Sequence, residues 1–440
     1  QTAGQSFARH IGVECRKFKE KIISEKKTKL SSYVRPIGMQ RVPLEKERAA
    51  WTKYLYPDHT HDLSMFYSVV WRIHLGELRV GESDAWSTTT LLQRRAYRHL
   101  CTKYTKAWDE IRRFGDQNDI HPLQDTSKTL WEKHTGMEEL HAVIDLDIQR
   151  LSVTLTKEDQ QCVARILRVW SFTHVHIGYF QGMHELAALL WRIRASESDP
   201  VPMDSVLHVL LSPGDIEPDT YFLFSALIQR LAPMYDHTQR AGSPTLIKAI
   251  LHRVDPSLNS HLQSLQLEWT PILLRWHRLL YMQEFTEATI LELWDTLFAI
   301  DPTLQLVPYI SAAILLSQRD KLVQSEYIDA MQFLMHLPDL NAPRQLVEHA
   351  MQLSQTPSAS TGAFIARAYE QHPPPEPAES KMESAKHLLR ELTAGILTQD
   401  GHGQSDWSPR TEDRLYIESS NYTEQHKRAM LSLDSVREFH

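Results

Sequence analysis

Between residues 41 and 350 the apolar positions recur at helical spacing. Thr156 can cap a helix whose third position is Asp159, and Val163, Ile166, Leu167 and Trp170 then fall on one face. Met183, Leu186, Leu190 and Ile193 form a second stripe. Thr270-Pro271 reads as a helix start with Pro at the first helical position, where its missing N–H costs nothing. Thr286 can cap a further helix that buries Ile290, Leu293, Trp294 and Leu297, and Ile310–Leu316 reads as a short core segment. No Asn-Gly or Asp-Gly turn is flanked by alternating apolar residues, so strands are not predicted. The expected fold class is all-α, a multi-helix domain over residues 41–350.

The pattern changes at both ends. Residues 1–40 are basic and polar, as in Arg16-Lys17-Phe18-Lys19-Glu20-Lys21, and read as a basic N-terminal extension, either a solvated arm or an anionic-membrane contact. Residues 351–440 hold the run His372-Pro373-Pro374-Pro375-Glu376-Pro377 and a polar tail, expected to be partly disordered because it buries too little apolar surface to offset its ordering entropy. Within the tail, Ala385, Leu388, Leu389, Leu392 and Ile396 recur at helical spacing, as in a helix that packs on the main domain or on a partner. No internal repeat with a fixed period is present.

Composition narrows the class. Apolar residues make up 42 % of 440, enough for a sizeable core, while 15 Gly and 22 Pro are too few for a loop-rich all-β protein. The formal charge of −7, from 48 basic and 55 acidic side chains, argues against a nucleic-acid partner. Cys15, Cys101 and Cys162 cannot make a disulfide framework and suit a reducing compartment. No apolar run approaches the ~18 residues of a membrane span, and residues 1–30 are too charged for a secretory leader. The first residue is Gln, which leaves room for residues ahead of it. A cytoplasmic protein is expected, with any membrane association peripheral.

The common catalytic constellations are missing. No Gly-x-x-x-x-Gly-Lys-Ser/Thr phosphate loop and no Gly-x-Ser-x-Gly elbow occurs. His184-Glu185 opens like a zinc-protease motif, but Ala188 stands where the second His belongs. His174, His176 and His184 are close in sequence, yet 23 His make local clusters common, so no metal is expected. More informative are Ile144-Asp145-Leu146-Asp147-Ile148-Gln149-Arg150 and, after one helix's length, Tyr179-Phe180-Gln181-Gly182. A helix over 157–173, ~25 Å long, and loops that extend to ~43 Å allow the two segments to meet.

These two segments resemble the Ile-x-x-Asp-x-x-Arg and Tyr-x-Gln-Gly motifs of the TBC-domain family of Rab GTPase-activating proteins. Val70-Trp71-Arg72-Ile73-His74-Leu75-Gly76-Glu77-Leu78 upstream, and Arg275-Trp276, Glu284-Phe285 and Trp294-Asp295-Thr296-Leu297-Phe298 downstream, extend the resemblance over residues 66–300. It implies a TBC-type domain at 41–350 that supplies Arg150 and Gln181 in trans to a Rab GTPase carrying GTP and magnesium. The chain would have no cofactor of its own and would act on the Rab's own hydrolysis. The chemistry is consistent: phosphoryl transfer depends on positioning and electrostatic stabilisation, which a fixed guanidinium and a water-orienting carboxamide supply.

In supporting roles, Asp147 shares a helical face with Arg150 and can orient it or pair with another Arg; Tyr179 can brace the Gln181 loop or simply pack. Gly182 allows close approach or positive φ, and Trp71 and Trp294 read as core. The strings around 181–186 and 275–280 further imply a late-endosomal Rab (Rab seven) as substrate, the retromer coat as partner, and an endosomal or autophagic setting. Leu151 stands where the family often has Thr, and Gln283 where Arg often precedes Glu-Phe. The alternative is a non-catalytic helical protein that binds Rabs or coat components; a metal-dependent hydrolase on the three His is a distant third.

Overall fold

The computed structural model describes residues 66–79, 83–115, 125–198, 206–235 and 244–370. The basic extension at 1–40 and the apolar island at 385–396 lie outside them. The described residues form sixteen α-helices and one short 3-10 turn, with no strand.

In chain order the helices of the first half are α1 (Tyr67–His74), α2 (Ser83–Gly115), α3 (Asp125–Gln149), α4 (Lys157–Thr173), α5 (Met183–Ser196), α6 (Val206–Leu210) and α7 (Ile216–Tyr235). The second half comprises α8 (Pro244–Val254), α9 (Pro256–Ser264), α10 (Trp269–Arg278), α11 (Glu287–Ile300), α12 (Val307–Ser317), α13 (Arg319–Gln324), α14 (Tyr327–Met335), α15 (Pro343–Gln355) and α16 (Ala359–Glu370).

Each half is built around one apolar helix. The stripe expected on α5 is an underestimate: Ala187, Ala188, Leu189 and Trp191 are buried as well as Met183, Leu186, Leu190 and Ile193, because α1, α3, α4 and α7 pack round it. In the second half α12 is buried from Val307 to Leu316, the half-buried Tyr309 apart, among α8, α15 and α16. Contacts of α7 with α10 and of α1 with α11 merge the halves into one core, where Trp71 lies against Trp294 and Phe298 and its indole N–H donates to Asp295 at 3.2 Å. Helix α12 carries no charged residue and α5 is buried on nearly all sides despite its two arginines, so both are interior helices that organise the rest.

A buried polar knot ties α2, α5 and α7 together. Asp219 accepts from Arg94 at 2.8 and 2.7 Å and from Arg194 at 3.1 Å, and both guanidiniums also donate to the Leu210 carbonyl at the end of α6. Asp219, a second carboxylate from Asp215 at 3.1 Å from Arg94, and the carbonyl end of a helix together hold two cations that would otherwise be costly to bury.

Helix ends follow the sequence only in part. Thr156 caps α4 as expected, accepting from the Asp159 N–H at 3.1 Å. Thr286 occupies the corresponding position before α11, but its hydroxyl donates to Asp339 at 2.7 Å instead of capping the helix. Helix α10 begins at Trp269, so Pro271 is its third residue and not its first; its missing N–H still falls in the first turn, where no intrahelical bond is lost. Helical packing also runs on past residue 350: α15 continues to Gln355, and α16 seats Ile365 against the core.

Candidate functional site

Helix α3 ends in a tightened turn, in which the Arg150 N–H donates to the Asp147 carbonyl at 3.0 Å. Arg150 is exposed, and its guanidinium makes no hydrogen bond or ion pair among the described residues. Its positive charge suits the carbonyl end of the helix it terminates. Gln181 is also exposed. It is the second residue of a turn closed by the Met183 N–H donating to the Phe180 carbonyl at 3.1 Å. The third residue, Gly182, has φ +99° and ψ −24°, the conformation that a type II turn demands and that an L side chain resists.

The two turns are stitched together beneath those exposed side chains. The buried Tyr179 hydroxyl donates to Asp147 Oδ2 at 2.6 Å. Beyond Arg150, Ser152 donates its N–H at 2.9 Å and its hydroxyl at 2.7 Å to the buried carboxylate of Glu185. Arg150 thus lies between Asp147 and Ser152, while Gln181 lies between Tyr179 and Glu185, so each exposed side chain is bracketed by the same two cross-links. His184 fills the space between: its Nδ1 lies 3.0 Å from the Tyr179 oxygen, 3.5 Å from Asp147 Oδ2 and 3.3 Å from the Gly182 N–H. The expected pairing of Asp147 with a guanidinium does not form; its carboxylate is held by Tyr179, and Arg150 acts on it only through its field.

Burial sets the charge states of this network. It raises the Asp147 carboxyl, against which the Tyr179 hydrogen bond and the Arg150 charge act, and it lifts the Tyr179 phenol well above its usual range. The same burial depresses His184 to about 4, the Glu185 charge opposing and the Arg150 charge assisting. With the His184 imidazole neutral and the Asp147 and Glu185 side chains buried, Arg150 is the solvent-facing charge of this pair of turns.

A second support lies under the Gln181 turn. The Phe180 ring stacks on Tyr235 at 5.0 Å, and the Arg278 guanidinium sits 5.1 Å over Phe180 and 5.5 Å over Tyr235. Tyr235 in turn donates to the Arg278 carbonyl at 3.0 Å. The side chain of Leu279 lies where a Cβ on Gly182 would project, 2.9 Å away.

All five residues singled out in the sequence (Arg150, Gln181, Asp147, Tyr179 and Gly182) therefore fall at one locality. His174 and His176 do not join His184: His174 stacks on Trp170 at 4.7 Å, and among the described residues no group of three or more His, Cys, Asp or Glu is placed to hold a metal. Reading the motifs missed the roles of Ser152, Glu185, Arg278 and Leu279. The one available signal was Glu185, a carboxylate in the first turn of a helix whose next six residues are all apolar.

The Rab-GTPase-TBC domain model matches residues 90–323, more than half of the chain. The chain belongs to this family. TBC1 domain family member 5 of Mus musculus is 27 % identical over 330 residues, covering 66 % of this chain and 40 % of that protein. The GTPase-activating protein gyp1 of Schizosaccharomyces pombe is 27 % identical over 280 residues, covering 61 % of this chain and 50 % of that protein. The TBC chain described here thus spans about half or less of the length of these relatives. The crystal structure of the Ypt/Rab-GAP domain of Gyp1p superposes with a TM-score of 0.53 at 18 % identity, over 74 % of this chain and all of that one, a likeness of fold. Among the described residues of this TBC chain, no helix is long and apolar enough to cross a membrane.

Proposed function

We propose that this chain is a GTPase-activating protein for a Rab-family GTPase, and that Arg150 and Gln181 enter the partner's nucleotide pocket together. The observation that carries the reading is the pair of cross-links, Tyr179 to Asp147 at 2.6 Å and Ser152 to Glu185 at 2.7 and 2.9 Å, which hold two exposed polar side chains on adjoining turns. GTP and magnesium belong to the Rab, and the chain adds no cofactor. The guanidinium, always charged and with donors in a fixed fork, stabilises charge developing on the transferred phosphoryl oxygens. The Gln181 carboxamide accepts from the attacking water and donates toward the phosphate, lowering the cost of orienting the nucleophile. Asp147, Tyr179 and Gly182 position these groups and do not exchange protons with the substrate.

Single-turnover GTP hydrolysis over a panel of Rabs tests this. Arg150→Ala and Gln181→Ala should each lower stimulation on the order of a thousandfold. If neither changes the rate, the mechanism is wrong. Preferential capture of GTP-loaded Rab without acceleration would replace it with the non-catalytic binding reading. The late-endosomal Rab seven is the first substrate to test and the retromer coat the first partner, with peripheral attachment to endosomal membranes the setting they imply.

A further inference from the structure

A cavity of about 600 Å³ opens between α2, α3 and α4, within the size range of ligand sites. Its apolar floor includes Ile148, and Gln149, Lys157, Gln160 and Gln161 line it with polar groups. Two further cations on the wall are already neutralised: Arg165 donates twice to Glu217 at 2.6 Å, and Arg168 is paired with Asp145. Lys157 is exposed and forms no ion pair among the described residues. Gln149 is the last residue of α3, directly before Arg150, so the cavity wall runs straight into the exposed arginine.

We infer that this cavity is a specificity groove of the GTPase-binding face, taking an extended acidic segment of the GTPase whose nucleotide meets Arg150. The inference rests on the proposed function and names what that function's partner must present. Each exposed glutamine carboxamide offers both a donor and an acceptor, the complement of a main-chain amide in an extended segment. Lys157, the unpaired cation of a first turn that also holds Glu158 and Asp159, takes the segment's carboxylate, and the unpaired Arg150 beside Gln149 is a second cation at the groove's edge. Neither Lys157 nor the glutamines touch the reacting atoms, so they govern which GTPase docks and how tightly, not how fast the docked one hydrolyses.

The test measures single-turnover hydrolysis against rising concentrations of this chain, separating half-saturating concentration from maximal rate. Lys157→Glu should raise the half-saturating concentration roughly tenfold and leave the maximal rate within about twofold. The fold should not suffer, since an acidic residue in the first turn of α4 suits the helix dipole. The double variant Gln149→Ala, Gln161→Ala should raise the same quantity roughly fivefold, both side chains being exposed. Raising salt should weaken the wild-type interaction more steeply than that of Lys157→Glu, a difference that a purely structural role would not produce. Half-saturation and salt dependence equal to wild type in both variants would overturn the groove while leaving Arg150 untouched. A wild-type protein that accelerates no Rab but binds one loaded with GTP removes the finger mechanism alone, and affinity then replaces half-saturation in the same comparison. A wild-type protein that neither accelerates nor binds any Rab removes both proposals.

Discussion

Gln181 is presented at a turn whose next residue holds φ at +99°. In Gly182→Ala the added Cβ would stand 2.9 Å from the tip of Leu279, which can shift, so the main cost is the backbone conformation, about 1–2 kcal/mol. Urea unfolding should show that loss. Stimulation of the GTPase should fall further than the lost stability explains, and Gly182→Asn, which tolerates left-handed backbone, should recover part of it. Tyr179→Phe tests the stitch itself. It removes the short donor to Asp147 and leaves a buried carboxylate under-bonded, at a cost of about 1–3 kcal/mol, with the Asp147 carboxyl driven higher still. At this scale the sequence was readable where chemistry goes with residue type at a fixed spacing, as for Arg150, Gln181 and Gly182. It was opaque where a role is made by meeting through space: Glu185 serves Ser152 from 33 positions away, and its place in a first turn does not say which residue it serves.

Helices α8 and α16 touch more closely than any side chain would allow. A Cβ on Gly362 would lie 2.0 Å from the Val254 carbonyl oxygen, a backbone atom that cannot turn aside. Gly362→Ala should therefore lift α16 from α8, lowering stability by about 1–3 kcal/mol or more, with amide exchange speeding up in α16 before the rest of the core. Unchanged protection of α16 would show that the contact yields more easily than its geometry implies. The elements themselves were legible because α4 and α11 are amphipathic, and Val163, Ile166, Leu167 and Trp170 are all buried as their spacing demands. Their ends were legible only when the cap was local. Thr156 bonds three residues ahead, but the Thr286 hydroxyl is claimed by Asp339, 53 residues on, and no window of sequence contains both. The stripe on α5 misled for another reason: periodicity marks one buried face but does not say whether neighbours also cover the other.

The whole molecule should lose stability on acidification, and the sign follows from its buried histidines set against Glu197. Burial holds His184 and His174 at about 4 and His277 at about 3, against an ordinary value of 6.5. A histidine depressed in the folded state contributes stability that is fully present above its unfolded value and is lost as pH falls through the folded one. At about pH 5 each of the three has forfeited about 2 kcal/mol. Glu197 runs the other way. Buried at the end of α5 and bonded by the Ser68 N–H and hydroxyl at the start of α1, it is raised from 4.5 to about 7. Its contribution is complete below its unfolded value and is lost as pH rises through about 7, so acidification to about pH 5 returns ~2 kcal/mol. Each of these losses is about as large as the single gain, and His141, also depressed to about 4 by burial and the Arg168 charge, adds to the losses, so stability falls between about pH 7 and 5, read as a drop in Tm. Glu197→Gln separates the terms, because the amide still accepts from Ser68 but does not titrate. The variant should lose stability more steeply than wild type over that interval; parallel curves would show that Glu197 does not titrate there. Since His184 is one of the three, the turns that carry Arg150 and Gln181 are loosened by the same protons that strengthen the junction of α1 with α5.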